Sequence, residues 1–256
     1  MAENSSQMTD PRWGQVDRDK KAEAILATLE LCCTWDVRHA TWLDVGCGSG
    51  GVAATLAQHV EKVIGIDPES WTRWQHFQEQ APGLKFHVGS YRDLTRLLAP
   101  ESIDVVVCNQ VYEHVDDPKA LLEAIKQIMK PGGVCYFAGP NLLWPIEPHV
   151  FWPFVHWLPR AFAQRWMRRL GSTQADALDA WSWSYWRLTR LFRHTGFDFA
   201  GAIHARVRAG ASAVNAGRLL LLAAKLPRGF FAVLAPLAPG FVFVLSHARR
   251  AKTLVR

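Results

Sequence analysis

The 256-residue chain has few cysteines and none in a productive spacing: Cys32, Cys33, Cys47, Cys108 and Cys135 form neither a CxxC pair nor an even framework. A disulfide scaffold is thereby excluded, and the thiols read as small core residues of a cytosolic protein. A third ligand at metal spacing is missing as well, so no metal site is expected. The opening MAENSSQMTDPRW has neither a basic n-region nor an apolar h-region, which argues against a secretory signal. Internal repeats and low-complexity tracts are absent, which leaves no repeat array to consider. Charge disappears in two places. No acid occurs between Glu147 and Asp176, and Gly229 to Ala248 holds no Lys, Arg, Asp or Glu. That second run approaches the length of a spanning helix, but Pro236, Pro239 and Gly240 interrupt it, so a helix, a turn and a closing strand are expected instead.

What is present is ordinary for a globular protein: 49% hydrophobic and 20% charged residues, with a formal net charge of +6. The balance permits anionic partners without demanding them. The length holds one α/β domain with an appended or inserted lobe. Residues 1–16 are polar and expected to be flexible. From Asp17 to Cys33, Ile25, Leu26, Leu29 and Cys33 recur at helical spacing. Short apolar runs then alternate with helical ones: TWLDVG, a helix from Gly51 to His59, KVIGID, a helix over 70–80, LKFHV, IDVVVCN, a helix over 118–129, and GGVCYFAG. Such alternation predicts a doubly wound, mostly parallel sheet covered by helices on both faces. The pattern assigns 17–141 to this core and 142–186 to a Trp- and Arg-rich helical insertion. The remainder of the core, 187–256, reads as a helix over 183–195, a strand-like FDFAGAIHARVR, an apolar helix and a last strand GFVFVLSHA.

Ligands of such sheets sit at the carboxyl ends of the strands. One glycine-rich turn, LDVGCGSGG, occupies such an end, and its Gly46-x-Gly48-x-x-Gly51 spacing formally fits a dinucleotide fingerprint. Three features oppose that reading. Asp44 stands two residues before Gly46, where a carboxylate suits a cationic ligand better than a pyrophosphate. The next strand ends in Asp67, which can accept from both hydroxyls of a ribose. The fourth strand runs into the polar cluster Asn109-Gln110-Val111-Tyr112-Glu113-His114.

DVGCGSG, VIGID, IDVVVCNQVYEHVDDP and MKPGG followed by a strand, in this order over residues 40–140, resemble the class I S-adenosylmethionine-dependent methyltransferases, especially the type 11 and ubiquinone-biosynthesis-like branch. The resemblance implies a Rossmann-like, seven-strand methyltransferase sheet with an insertion after the fifth strand, and S-adenosyl-L-methionine as cofactor. The backbone of Gly46, Cys47, Gly48 and Gly50 would approach the methionine end, with Asp44 near its amino group. Asp67 would hold the ribose, Ser90 and Tyr91 would border the adenine, and Asn109 and Gln110 would close over the methionine. Similar proteins often carry an acid where this chain has Ser90; its hydroxyl can still accept from the adenine amine.

The acceptor is less legible. An in-line methyl transfer needs alignment and exclusion of water, and a hydroxyl acceptor also gains from a base. His114 is one candidate; Glu147 and His149, two apart in a proline-stiffened PIEPH segment, form a second pair that would equally serve to fasten the segment to the domain. Nucleic acid is not expected as substrate, because Asn109-Gln110-Val111-Tyr112 lacks the consecutive prolines of similar amine-directed enzymes. Seven of the 12 tryptophans (144, 152, 157, 166, 181, 183, 186) fall in the insertion. Along its helix Phe162, Trp166, Met167 and Leu170 share one side and Arg165, Arg168 and Arg169 the other. That pattern suits either packing as a lid on its own domain or peripheral contact with the inner face of a membrane. O-methylation of a small-molecule or lipid-like acceptor is the function expected; the alternative is a non-catalytic, cofactor-binding subunit associated with a membrane or partner.

Overall fold

The computed structural model describes residues 15–147, 150–178, 182–212 and 217–247. A helix α1 (Gln15–Cys32) leads into β1 (Thr41–Val45), α2 (Gly51–Leu56), β2 (Lys62–Asp67), α3 (Arg73–Gln80) and β3 (Leu84–Val88). A single turn α4 (Leu94–Leu97) precedes β4 (Ile103–Asn109), α5 (Pro118–Ile128) and β5 (Met129–Pro140). Seven strands join in the order β3-β2-β1-β4-β5-β9-β8, where β8 is Phe197–Gly201 and β9 is Gly240–His247. The first five run parallel, and β9 pairs antiparallel with both β5 and β8. This is the doubly wound sheet that the alternation predicts.

Burial on both faces explains why β1, β4 and β5 read as continuous apolar runs and not as alternating ones. One face is packed by Leu121, Leu122 and Ile125 of α5 with Leu188 and Phe192 of α7 (Tyr185–His194). The other takes Ala22, Ile25, Leu26 and Leu29 of α1 and Val52, Ala53 and Leu56 of α2. Trp42 is fully buried there, its indole N–H donating to Val37 O at 2.8 Å.

Two stretches depart from expectation. FDFAGAIHARVR is not one strand: pairing stops after Gly201, Ala202 N–H donates to Val242 O, and Ile203–Ala211 coils into α8. Ala202 and Ala209, seven apart, are its buried positions, a helical spacing hidden under an apolar run. The helix expected over 118–129 ends at Ile128, and MKPGG opens β5 instead of preceding it. Met129 already pairs with Ile103 and Val134 with Val105, so Lys130 to Gly133 bulge out against the single residue Asp104. Lys130 Nζ closes that bulge on Asp104 Oδ2 at 2.8 Å.

The insertion leaves the end of β5 as a two-strand ribbon, β6 (Ile146–Glu147) with β7 (Trp152–Pro153), followed by α6 (Arg160–Arg169). It has a small core of its own, formed by Val150, Val155, Ala163, Met167 and Leu178. The later apolar stretch forms two short helices, α9 (Arg218–Ala223) and α10 (Arg228–Leu234), with Pro227 at the start of the second. Among the described residues no helix is long and apolar enough to cross a membrane.

Asp117 starts α5 at the edge of the strand-end crevice, its carboxylate accepting from Lys119 N–H at 3.0 Å and Ala120 N–H at 3.1 Å. Asp117→Ala is expected to cost about 1 kcal/mol of stability, the usual value of such a cap. Denaturant unfolding of the two proteins measures it.

Candidate cofactor and active site

The turn after β1 is built from three glycines in left-handed backbone: φ is 68° at Gly46, 51° at Gly48 and 83° at Gly50. Only glycine takes these angles without steric cost. Space adds a second requirement at Gly50, where a Cβ would stand 2.6 Å from Phe86 Cζ and 3.0 Å from Trp74 Cδ1. Those two rings stack at 4.8 Å, and Trp74 Nε1 donates to Gly48 O at 2.9 Å, so the turn leans on an aromatic wall.

Asp67 ends β2 facing this turn. One carboxylate oxygen accepts from Gly48 N–H at 2.8 Å and the other from Glu69 N–H at 3.0 Å. Each oxygen keeps a lone pair for a further donor such as a ribose hydroxyl. Asp44 lies on β1 between Gly65 and Val107, only 5% exposed. Burial pushes its carboxyl up to about 7, while Arg18 and Lys21 of α1 pull it down and Asp67 adds to the rise. Arg18 is itself lowered by burial beside that carboxylate.

A cavity of about 390 Å³ crosses the carboxyl ends of β1 to β4, within the size range of small-molecule sites. Gly46, Ser90, Tyr91, Val111, His114 and Asp116 are among the residues that line it. Ser90 caps the following turn: its hydroxyl accepts from Arg92 N–H at 3.2 Å and donates to Asp93 Oδ2 at 3.2 Å. Tyr91 donates to Asp116 Oδ1 at 2.6 Å, a bond that holds the Asp116 carboxyl below the usual range. Asn109 lies at the end of β4; Gln110 is exposed, with φ of 60° and its N–H donating to Ala138 O at 2.8 Å. Cys47 is buried, and burial raises its thiol far above the ordinary value, so it lies there as a neutral wall group.

A buried carboxylate on β1, a second carboxylate at the end of β2 and a cavity bordered by Gly46 and Tyr91 are groups that suit an amino-acid nucleoside with a cationic end. They do not suit a pyrophosphate, which would meet Asp44 and Asp67 at like charge.

On the acceptor side the predicted residues separate. His114 borders the cavity. Glu113, its neighbour, is fully buried and turned toward Gly139 and Tyr112. Glu147 is 1% exposed inside the insertion, its Oε2 accepting from Val150 N–H at 2.8 Å. His149 and Trp181 lie outside the described residues. On α6, Ala163 and Met167 face the insertion's core and Trp166 rests edge-on against Trp152, whereas Phe162 and Leu170 are exposed and Arg168 pairs with Asp176. Met167 and Trp166 therefore sit inward, and Phe162 and Leu170 do not share that side.

Sequence reasoning missed Arg18, Trp74, Asp93, Asp116 and His156. Asp93 was legible, since Ser90-x-x-Asp93 is a capping box. His156, whose Nε2 lies 2.8 Å from Trp144 O and 3.1 Å from Leu142 O, is the histidine that ties the insertion's root. Nothing in the local sequence announces Arg18 as a cation that acts on Asp44.

Residues 16–202 match the family model described as a methyltransferase domain, and the chain belongs to that family. It is 33% identical over 143 residues to the ubiquinone biosynthesis O-methyltransferase of Stutzerimonas stutzeri (strain A1501), covering 51% of this chain and 58% of that one. With the protein of the same name from Acinetobacter baylyi it shares 34% over 103 residues, 39% of this chain and 43% of that one. The chain thus spans about half the length of the curated relatives it matches. Among solved structures, an S-adenosylmethionine-dependent methyltransferase from Mesorhizobium loti superposes with a TM-score of 0.55 at 16% identity, covering 89% of this chain and 99% of that one. The plantazolicin methyltransferase BamL, solved with SAH, gives 0.58 at 12% identity, covering 95% and 89%. The fold is that of the class I S-adenosylmethionine-dependent methyltransferases.

Two outcomes are expected from calorimetric titration with S-adenosylmethionine. Asp67→Ala weakens binding by about 1.5 to 3 kcal/mol, the scale of losing charge-assisted hydrogen bonds, and Gly48→Val does at least as much damage because its left-handed φ is closed to valine. The second concerns pH. A carboxyl raised to about 7 makes the unliganded protein bind more protons than the unfolded chain between about pH 4 and 7, so Asp44 erodes stability as pH rises through that window. A cationic amino group wants the ionised form, and affinity should therefore improve about eightfold from pH 6 to 7.5 and lose that slope in Asp44→Asn.

Proposed function

We propose that this protein transfers a methyl group from S-adenosylmethionine to a hydroxyl oxygen of a small, hydrophobic acceptor. The observation that supports the reading is the crevice across the carboxyl ends of β1 to β4, lined by Val45, Gly46, Ile66, Tyr91 and His114, with Asp44 and Asp67 adjoining the lining residues Val45 and Ile66 in sequence. The named O-methyltransferase relatives support oxygen as the atom methylated. When bound, S-adenosylmethionine supplies an electrophilic methyl on a sulfonium.

The chain's own residues have three tasks in this reading. Asp44 neutralises the amino group and Asp67 fixes the ribose, which together set the position of the cofactor. His114 takes the acceptor's hydroxyl proton on a ring nitrogen as the oxygen attacks. The insertion excludes water from the crevice and selects the acceptor, with Glu147 and His149 holding or lining its PIEPH segment. Its aromatic content suits an aromatic or prenyl-like acceptor, and contact with the inner face of a membrane belongs to the same proposal.

The test is transfer of labelled methyl to a panel of phenols, catechols and prenylated phenols. Turnover with oxygen-methylated product is expected, with His114→Ala lowering kcat by about 100-fold and leaving S-adenosylmethionine affinity within twofold or so, the usual worth of a general base. Product methylated on nitrogen or carbon, or an undiminished kcat in the variant, contradicts the assignment.

A further inference from the structure

The helices α9 and α10 bury none of their residues. Leu220, against Gly210 of α8, and Phe231, against the His204 ring, turn toward the domain, and Arg228 lines a small pocket with Cys32 and His204. Leu219 (84% exposed), Val233 (77%) and Leu222 (60%) face outward, joined by Leu226, Phe230 and Leu237. With Leu221 and Leu234, eight large apolar side chains are exposed within 219–237, more than the scattered apolar residues of an ordinary surface, and they mark an interaction face.

Charge states what the face meets. Asp198 is the last acidic residue of the chain, and residues 199–256 carry nine Lys and Arg and no Asp or Glu. Arg218, Lys225 and Arg228 stand exposed among the leucines. A second copy of the same face would bring cation to cation, so self-association through it is electrostatically opposed. A polyanionic surface that also accepts apolar side chains satisfies both features at once, which is the chemistry of an anionic bilayer.

Position connects the face to the crevice. The Asn141 side-chain amide donates to Pro236 O at 2.9 Å and Ala238 O at 2.8 Å, binding the segment after α10 to the end of β5. The segment that follows the helix pair is thereby held at the carboxyl end of β5, from which the insertion departs.

We infer that α9 and α10 form an interfacial anchor that seats the protein on an anionic lipid surface, with Leu219, Leu222 and Val233 in the headgroup boundary and Arg218 and Lys225 against lipid phosphates. The anchor sets where the acceptor of the proposed reaction is met, and rests on that reading in this respect alone. It differs from the insertion's α6 in place and in composition.

Flotation of the full chain with vesicles tests it, using phosphatidylcholine alone and phosphatidylcholine mixed with phosphatidylglycerol, at low and high salt. Wild type should bind the mixed vesicles, and salt should weaken binding. Leu219→Glu/Leu222→Glu/Val233→Glu should reduce partitioning by about 100-fold, and Arg218→Glu/Lys225→Glu by about 25-fold, since each cation at such a surface is worth roughly fivefold. Calorimetry with S-adenosylmethionine, unchanged in both variants, shows that the fold is intact and keeps a failure of cofactor binding distinct from a failure of the anchor. Wild type that ignores the mixed vesicles at low salt overturns the inference. So does retention of full binding by the leucine variant, or equal binding to soluble polyglutamate, which would make the face a site for acidic protein.

Discussion

The shape of the glycine turn depends on the Asp67 carboxylate, which reaches from the end of β2 to accept from the Gly48 N–H at 2.8 Å. Without that bond the turn after β1 would be a loop of left-handed residues held by backbone contacts and the Trp74 indole. With it, two neighbouring strand ends become one rigid rim, and Trp74 and Phe86 close the outside through the Gly48 carbonyl and the bare Cα of Gly50. The acid that suits a ribose therefore also shapes the turn that lies beside it.

Asp44 is the electrostatic counterpart. A carboxyl buried at a strand end and raised to about 7 is costly to ionise without a partner. Arg18 and Lys21 supply part of the compensation from α1, the element that precedes the sheet. A cationic ligand beside Asp44, as in the proposed reading, would supply more.

Much of this was legible in the sequence because short apolar runs and glycines are local signals. The parallel order of β1 to β5, the turn at Gly46 to Gly50 and the acid at Asp67 follow from runs of four to seven residues and their ends. Less legible was whatever tertiary contact decides. FDFAGAIHARVR reads as a single strand until Ala202 and Ala209 are seen to share a buried side. Glu147 and His114 look alike as candidate bases, yet one is enclosed in the insertion and the other borders the cavity. Arg18 is invisible as a site residue because its relation to Asp44 crosses 26 positions of sequence and an intervening helix end. The sequence shows α9 only as an apolar helix, and the outward direction of its leucines appears in the structure alone.

The central claim is that the glycine turn with Asp44 and Asp67 reads S-adenosylmethionine and not a dinucleotide. Its most direct measurement is parallel calorimetric titration of the wild-type chain with S-adenosylmethionine, S-adenosylhomocysteine and NAD. The account predicts one-to-one binding of the two sulfur nucleosides, and no heat of binding with NAD. Saturable binding of NAD, with none of either sulfur nucleoside, would contradict it.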